Sequence, residues 1–306
     1  MKITKIQALS VCVLVLCLLF CSCQKTSYGN TPTSPTYGDS SDTQDTDAVT
    51  QTPHIPVKIA AETVYDKNGI TVSISEIDND SFWGPEIKLD IKNSSDKNIE
   101  LECTDSSVNG IMQTLLFYAK ADAGATVSDS ITIYRDDLTL SKSYGIKEIE
   151  FKLVVKNKDD GALLDTSDII RLTPTGAEDF VQDIDTSGAI MLDVDGVRVI
   201  AKKARNQNSI SGSKLYLFVE NNSAQSMEIR CTELKINGTV LDAHFECKVL
   251  SGKIAISEVS VLESDLKKQG ISDIKKIDVS LTFIDTETKE ELFTLPMSAQ
   301  TLTFVG

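Results

Sequence analysis

Histidine is nearly absent from this chain: there are two in 306 residues, His54 and His244. That shortage argues against zinc hydrolase centres, Ser-His-Asp catalysis and haem ligation, all of which draw on imidazole. There is no Walker loop and no dinucleotide-binding glycine fingerprint. Strand and helix patterns do not alternate along the chain, which disfavours the parallel α/β architecture of many solute-binding proteins. Acidic pairs such as Glu148/Glu150 and Asp159/Asp160 read as solvated strand faces and turns rather than acid/base dyads. No enzyme activity is expected.

Positive charge is also scarce. Thirty Lys and Arg face 45 Asp and Glu, a formal net charge of −15. A surface this acidic disfavours nucleic acid and anionic lipid head groups as partners. Cysteine is limited to seven residues, three of them crowded into "LCLLFCSCQK" at 16–25.

That segment closes an apolar run. Lys2 and Lys5 open the chain, and no charge follows from Ile6 to Cys23. A basic start, an apolar core and then small residues make the pattern of a secretory signal peptide. A transmembrane anchor is the alternative, since the stretch is about the shortest that spans a bilayer. Against it stand the polar, turn-rich sequence that follows and the lack of a basic stop-transfer cluster. "LFCSC" resembles the lipobox of bacterial lipoproteins, in which a small residue, here Ser22, precedes a cysteine that is lipidated on sulfur and becomes the new N-terminus. Phe20 departs from the leucine usual at that place. The resemblance implies a signal peptide over 1–22, a diacylglyceryl group on Cys23 and attachment to the outer face of the cell membrane. Two acyl chains, at about 0.8 kcal/mol per buried methylene, hold a protein on a membrane where one chain does not. Loss of Lys2 and Lys5 leaves 28 basic against 45 acidic residues, a formal charge of −17.

Residues 23–57 are rich in Thr, Ser, Asp, Pro and Gly, with almost nothing to bury, and predict a disordered tether. Beyond it the sequence is written twice. Asn93 matches Asn221, Cys103 matches Cys231, and Asn109-Gly110 matches Asn237-Gly238, each pair 128 residues apart. Gly69 and Gly196 are 127 apart, Gly145 and Gly270 125 apart. Constant spacing with small loop indels marks a duplicated unit of whole-domain size. The expected boundaries are 58–176 for domain 1, a linker over 177–186, and 187–306 for domain 2.

Each copy predicts strands. "EIKLDIKN", "NIELEC", "EIEFKLVV" and "KIDVSLTF" alternate apolar and polar residues, the period of a half-buried strand. Asn-Gly between such runs is the strongest short hairpin signal. "ESDLKKQG" predicts one short helical turn. Many short strands with frequent turns predict an all-β protein of two tandem β-sandwiches. The duplicated Asn-ending strand, polar hairpin and "ECTDSSVNG" resemble the immunoglobulin-like lipoprotein domains of Gram-positive bacteria, notably clostridia. That resemblance covers roughly 58–306 and implies an extracytoplasmic sandwich without an assigned chemistry. The Cys-Trp-Cys signature of antibody domains is missing, because Trp83 is the sole tryptophan.

Two local motifs stand out. In "DIDTSG", Asp183, Asp185 and Ser187 occupy the first, third and fifth places of a calcium loop. Val194 stands where the bidentate Glu belongs, so an acidic turn is the competing reading, with Asp193 and Asp195 nearby. In "NDSFWGPE", Phe82 and Trp83 are consecutive, and in a strand they point to opposite faces. Either Trp83 plugs the end of the sandwich, or one aromatic is exposed as a contact site. Repeat two lacks aromatics there. The remaining Cys103, Cys231 and Cys247 are odd in number and predict no disulfide. If Asn237-Gly238 forms a two-residue turn, Cys231 faces His244 and Cys247 lies three residues along, about 10 Å away, too far for a bridge. The same register sets Cys103 opposite Leu116. The function expected is a non-catalytic binding or scaffold module toward an envelope protein or polysaccharide, with a ligand-free structural spacer as the rival.

Overall fold

The computed structural model describes residues 54–202, 213–242, 245–272 and 276–297. Cys23 and His244 lie outside them. The first repeat runs β1 (Glu62–Lys67), β2 (Ile70–Asp78), β3 (Glu86–Asn93), β4 (Ile99–Val108), β5 (Ile111–Met112), β6 (Leu115–Leu116), β7 (Tyr118–Ala121), β8 (Thr126–Ile133), α1 (Arg135–Leu140), β9 (Ile149–Asn157), β10 (Leu163–Thr166) and β11 (Ile170–Leu172). The second runs β12 (Ala189–Val194), β13 (Val197–Lys202), β14 (Ser213–Asn221), β15 (Met227–Ile236), β16 (Thr239–Leu241), β17 (Glu246–Val249), β18 (Lys253–Val261), α2 (Glu263–Lys268), β19 (Ile277–Asp285) and β20 (Glu291–Leu295). The protein is all-β, with several sheets packed together, and the order of elements is duplicated.

The turns explain why the repeats fold alike. Asn68-Gly69, Asn109-Gly110, Asp195-Gly196 and Asn237-Gly238 all have positive φ at both residues, the geometry that joins right-twisted antiparallel strands. The matched asparagines close the ends of β3 and β14. Asn93 is fully buried, and its Nδ2 donates to the carbonyls of Lys97 (2.8 Å), Ala121 (3.1 Å) and Asp122 (3.0 Å). Its Oδ1 accepts from Ser95 N and Oγ. Asn221 repeats this with Gln225, Val249 and Ser223. Each motif ties the loop after its strand to the end of a neighbouring strand.

In repeat one, β1-β2-β3-β8-β6 form one antiparallel sheet and β10-β9-β4 the core of another. Their apolar faces meet in a single cluster that includes Ile87, Leu89, Ile131, Leu101, Phe151 and Leu153. Repeat two has β12-β13-β14-β18 and β16-β15-β19-β20, with Val199, Leu217, Ile229 and Phe283 in a second cluster. The two repeats are not separate beads. β5 of the first pairs in parallel with β18 of the second, Ile111 beside Ile254, and Ile254 N donates to Gly110 O at 3.0 Å. This union makes one ten-stranded sheet. In repeat one the corresponding edge, that of β8, is covered by β6 instead.

Three expectations change. Residues 54–57, expected in the tether, are built into repeat one: Ile55 N bonds Tyr144 O at 2.7 Å, and Val57 is 1% exposed. Residues at the start of the expected linker are anchored too. Ala177 is buried and Phe180 packs on the first core, while Gln182 Nε2 donates to Ser141 O at 2.8 Å. The hairpin register also slips by one residue. Ile236 faces Thr239, but Ile229 faces Cys247, so Cys247 lies two residues, not three, beyond the position opposite Cys231. Repeat one slips likewise between Val108/Ile111 and Glu102/Tyr118. Cys103, Cys231 and Cys247 are all free.

Candidate functional site

Residues 81–84 form a turn rather than a strand, so Phe82 and Trp83 do not alternate faces. Phe82 is 80% exposed and Trp83 57%; Trp83 does not plug the core. The turn is laced to the end of β8 and the start of α1. Ile133 N donates to Pro85 O and Arg135 N to Trp83 O, both at 2.9 Å, and Arg135 Nη2 reaches Ser81 O at 2.8 Å. Gly84 makes this closeness possible: its φ is +135°, and an added Cβ would sit 2.0 Å from Ile133 O. The rings are thereby held. Trp83 stacks on Tyr134 with centroids 6.3 Å apart and planes at 23°. Phe82 meets Trp83 edge-on at 5.0 Å. Both are favourable aromatic geometries.

This shelf borders a groove of about 490 Å³ lined by Trp83, Thr114, Leu116, Thr132, Tyr134 and Asp137. Thr114 and Asp137 also line a second cavity of about 380 Å³, where 103–106, 111–115 and α1 of repeat one face 246–248 and 255–257 of repeat two. The floor is polar. Gln113 is 7% exposed; its Nε2 donates to Ser141 Oγ at 2.8 Å, while its Oε1 has no partner. Burial pushes the Asp137 carboxyl above the usual range, against a hydrogen bond from the Thr114 backbone and with help from Asp136.

Two carboxylates link the repeats through lysines. Asp105 pairs with Lys152 at 3.0 Å and with Lys248 across the repeats. Burial raises its pKa, but the two lysines outweigh burial and leave it lowered. Glu150, whose side chain is 4% exposed, pairs with Arg171 and with Lys253 of repeat two. Burial pushes Cys231 and Cys247 up to about 11 and Cys103 higher, so none is an activated thiol.

The structure does not gather Asp183, Asp185 and Ser187 into a cation cage. Asp183 pairs with Lys142 at 2.6 Å and Asp185 with Lys202 at 3.1 Å. Asp185 Oδ1 accepts from Ser187 Oγ and N, and these bonds hold its carboxyl well below the ordinary range. Among the described residues no group of three or more His, Cys, Asp or Glu is placed to hold a metal. Glu148 and Glu150 share Arg171, and no catalytic machinery is evident among these residues. No described helix is long and apolar enough to cross a membrane.

Sequence reasoning found Phe82 and Trp83 but missed Tyr134, Asp137 and Gln113. The signal was in the repeat itself. At the 128-residue offset, Tyr134 corresponds to Leu262 and Gln113 to Leu241, and Leu241 is a core residue. An amide has taken the place of a buried leucine in the copy that carries the aromatics.

No family model matches the sequence, and no curated protein matches it. Among solved structures, a crystal structure of the YadV chaperone aligns over 67% of this chain and 88% of its own, at 9% identity and a TM-score of 0.23.

Proposed function

We propose that this chain is a lipoprotein anchored through Cys23 to the outer face of the cell membrane, and that it serves as a non-catalytic binding module toward an envelope polysaccharide or protein. In this reading each repeat is an immunoglobulin-like sandwich, and the tether carries them away from the bilayer. The observation that supports binding is the exposed Phe82–Trp83 pair stacked on Tyr134; the matching stretch of the second repeat, "QNSISGSK", has no aromatics. Exposed aromatics anchor contact surfaces, and nothing in the core uses these. The acidic charge speaks against nucleic acid as the partner. The rival, a spacer without a ligand, draws its support from the continuous sheet across the repeats.

Co-sedimentation of the full chain with delipidated envelopes separates the two. A binding module is retained, and Trp83→Ala releases it; equal retention of both, or of neither, favours the spacer. The anchor has its own test. Cys23→Ala should abolish incorporation of labelled lipid, and intact labelling would remove Cys23 from the account.

A further inference from the structure

The groove and the inter-repeat cavity share Thr114 and Asp137 in their walls. Their volumes, about 490 and 380 Å³, fall in the range of about 300–1,000 Å³ usual for ligand sites. The unpartnered polar group here is an acceptor, the buried Gln113 Oε1, and the Asp137 carboxylate, which already accepts from the Thr114 backbone, is a second acceptor in the shared wall. A buried acceptor without a donor is costly to keep, and here it stands where repeat two carries Leu241. Lys248, which lines the cavity, is held by Asp105. The chain's net charge of −15 repels polyanions.

A ligand for this site must therefore offer an apolar face to an aromatic shelf, donate hydrogen bonds, and carry no negative charge. We infer that the groove and cavity take a neutral saccharide chain, one sugar ring lying on Trp83 and a further ring donating a hydroxyl hydrogen to Gln113 Oε1. This rests on the binding reading above and names its ligand class. Sugar C–H faces stack on indole and phenol rings. Sugar hydroxyls both donate and accept, matching Asp137 on one side and the hydroxyls of Thr114 and Thr132 on the other. A peptide strand fits less well, since its carbonyls would face acceptors.

Trp83 is the only tryptophan, so its fluorescence reports on the site alone. The full chain in detergent micelles is titrated with maltohexaose, cellohexaose, mannohexaose and tetra-N-acetylchitotetraose, and with polygalacturonate as the polyanion. At least one neutral oligosaccharide should shift the emission saturably. Gln113→Ala should weaken that binding about five- to tenfold, the value of one hydrogen bond. Gln113→Leu should do the same while folding normally, because it copies Leu241. Unchanged affinity in Gln113→Leu overturns the cavity assignment. A response to polygalacturonate alone, or to none of the five, overturns the saccharide class. In that event, Trp83-dependent retention on envelopes still upholds the binding reading, and its loss takes both down.

Discussion

Glu150 joins the repeats electrostatically, and its replacement by Gln isolates that contribution. The carboxylate is nearly out of water, and its partners differ in exposure: the Arg171 side chain is 61% exposed and that of Lys253 17%. Solvent screens the first pair to a small value. The second pair is largely desolvated, and Glu150→Gln leaves the Lys253 ammonium beside a neutral amide. Breaking a buried pair from one side costs about 3–5 kcal/mol; with the amide still accepting one hydrogen bond, about 2–3 kcal/mol is expected. For a folded unit of this size that is a fall in Tm of roughly 5–10 °C by scanning calorimetry at pH 7. The pH dependence follows from the same contacts. Burial raises the Glu150 pKa, but Lys253 and Arg171 outweigh it and leave a net lowering. The folded carboxyl then binds its proton more weakly than the unfolded one. Its stabilisation is complete above the unfolded value of about 4.3 and drains away as pH falls through the lower folded value. Glu150→Gln should remove that part of the acid destabilisation below about pH 4. A Tm within a degree of wild type at pH 7, with an unchanged acid limb, would refute the reasoning.

Asn93→Ala strips hydrogen bonds from three backbone carbonyls in repeat one and should cost about 2–4 kcal/mol by denaturant unfolding; a loss below 1 kcal/mol would show that water replaces the side chain. Gly84→Ala forces its Cβ onto Ile133 O, so the 81–84 turn must open. The expected result is a lower Tm together with a red-shifted, more quenchable Trp83, whereas unaltered fluorescence would mean the shelf does not depend on that turn. Thiol counting on denatured, unreduced mature chain should find three groups, one each at Cys103, Cys231 and Cys247. The folded chain at pH 8 should react slowly, since burial raises all three thiols; a count of one would mean a disulfide.

Much of the fold was legible because duplication writes each signal twice. Asn-Gly and Asp-Gly turns fix hairpins by local backbone geometry alone, and period-two strands show their buried face in composition. What did not show was the pairing of β5 with β18. A two-residue strand carries no period, and its partner lies 143 residues on, between Ile111 and Ile254. The one-residue slips in both hairpins were hidden for a related reason, since a turn fixes register only as far as the first irregularity. The site was half legible. Phe82 and Trp83 stood out as aromatics without counterparts, whereas Gln113 looks like any polar residue until its core position in the other repeat is known. In the acidic "DIDTSG", Lys142 and Lys202, distant in sequence, pair with Asp183 and Asp185, contacts that the local spacing does not show.

The central claim is that the Trp83 shelf is the surface by which this protein meets the envelope. The most direct test is acrylamide quenching of the sole tryptophan in the full chain, alone and with delipidated envelopes. The account predicts ready quenching in the free protein, as its 57% exposure requires, and strong protection once envelopes are present. Equal quenching in both conditions, with the protein bound, would place the contact elsewhere and contradict it.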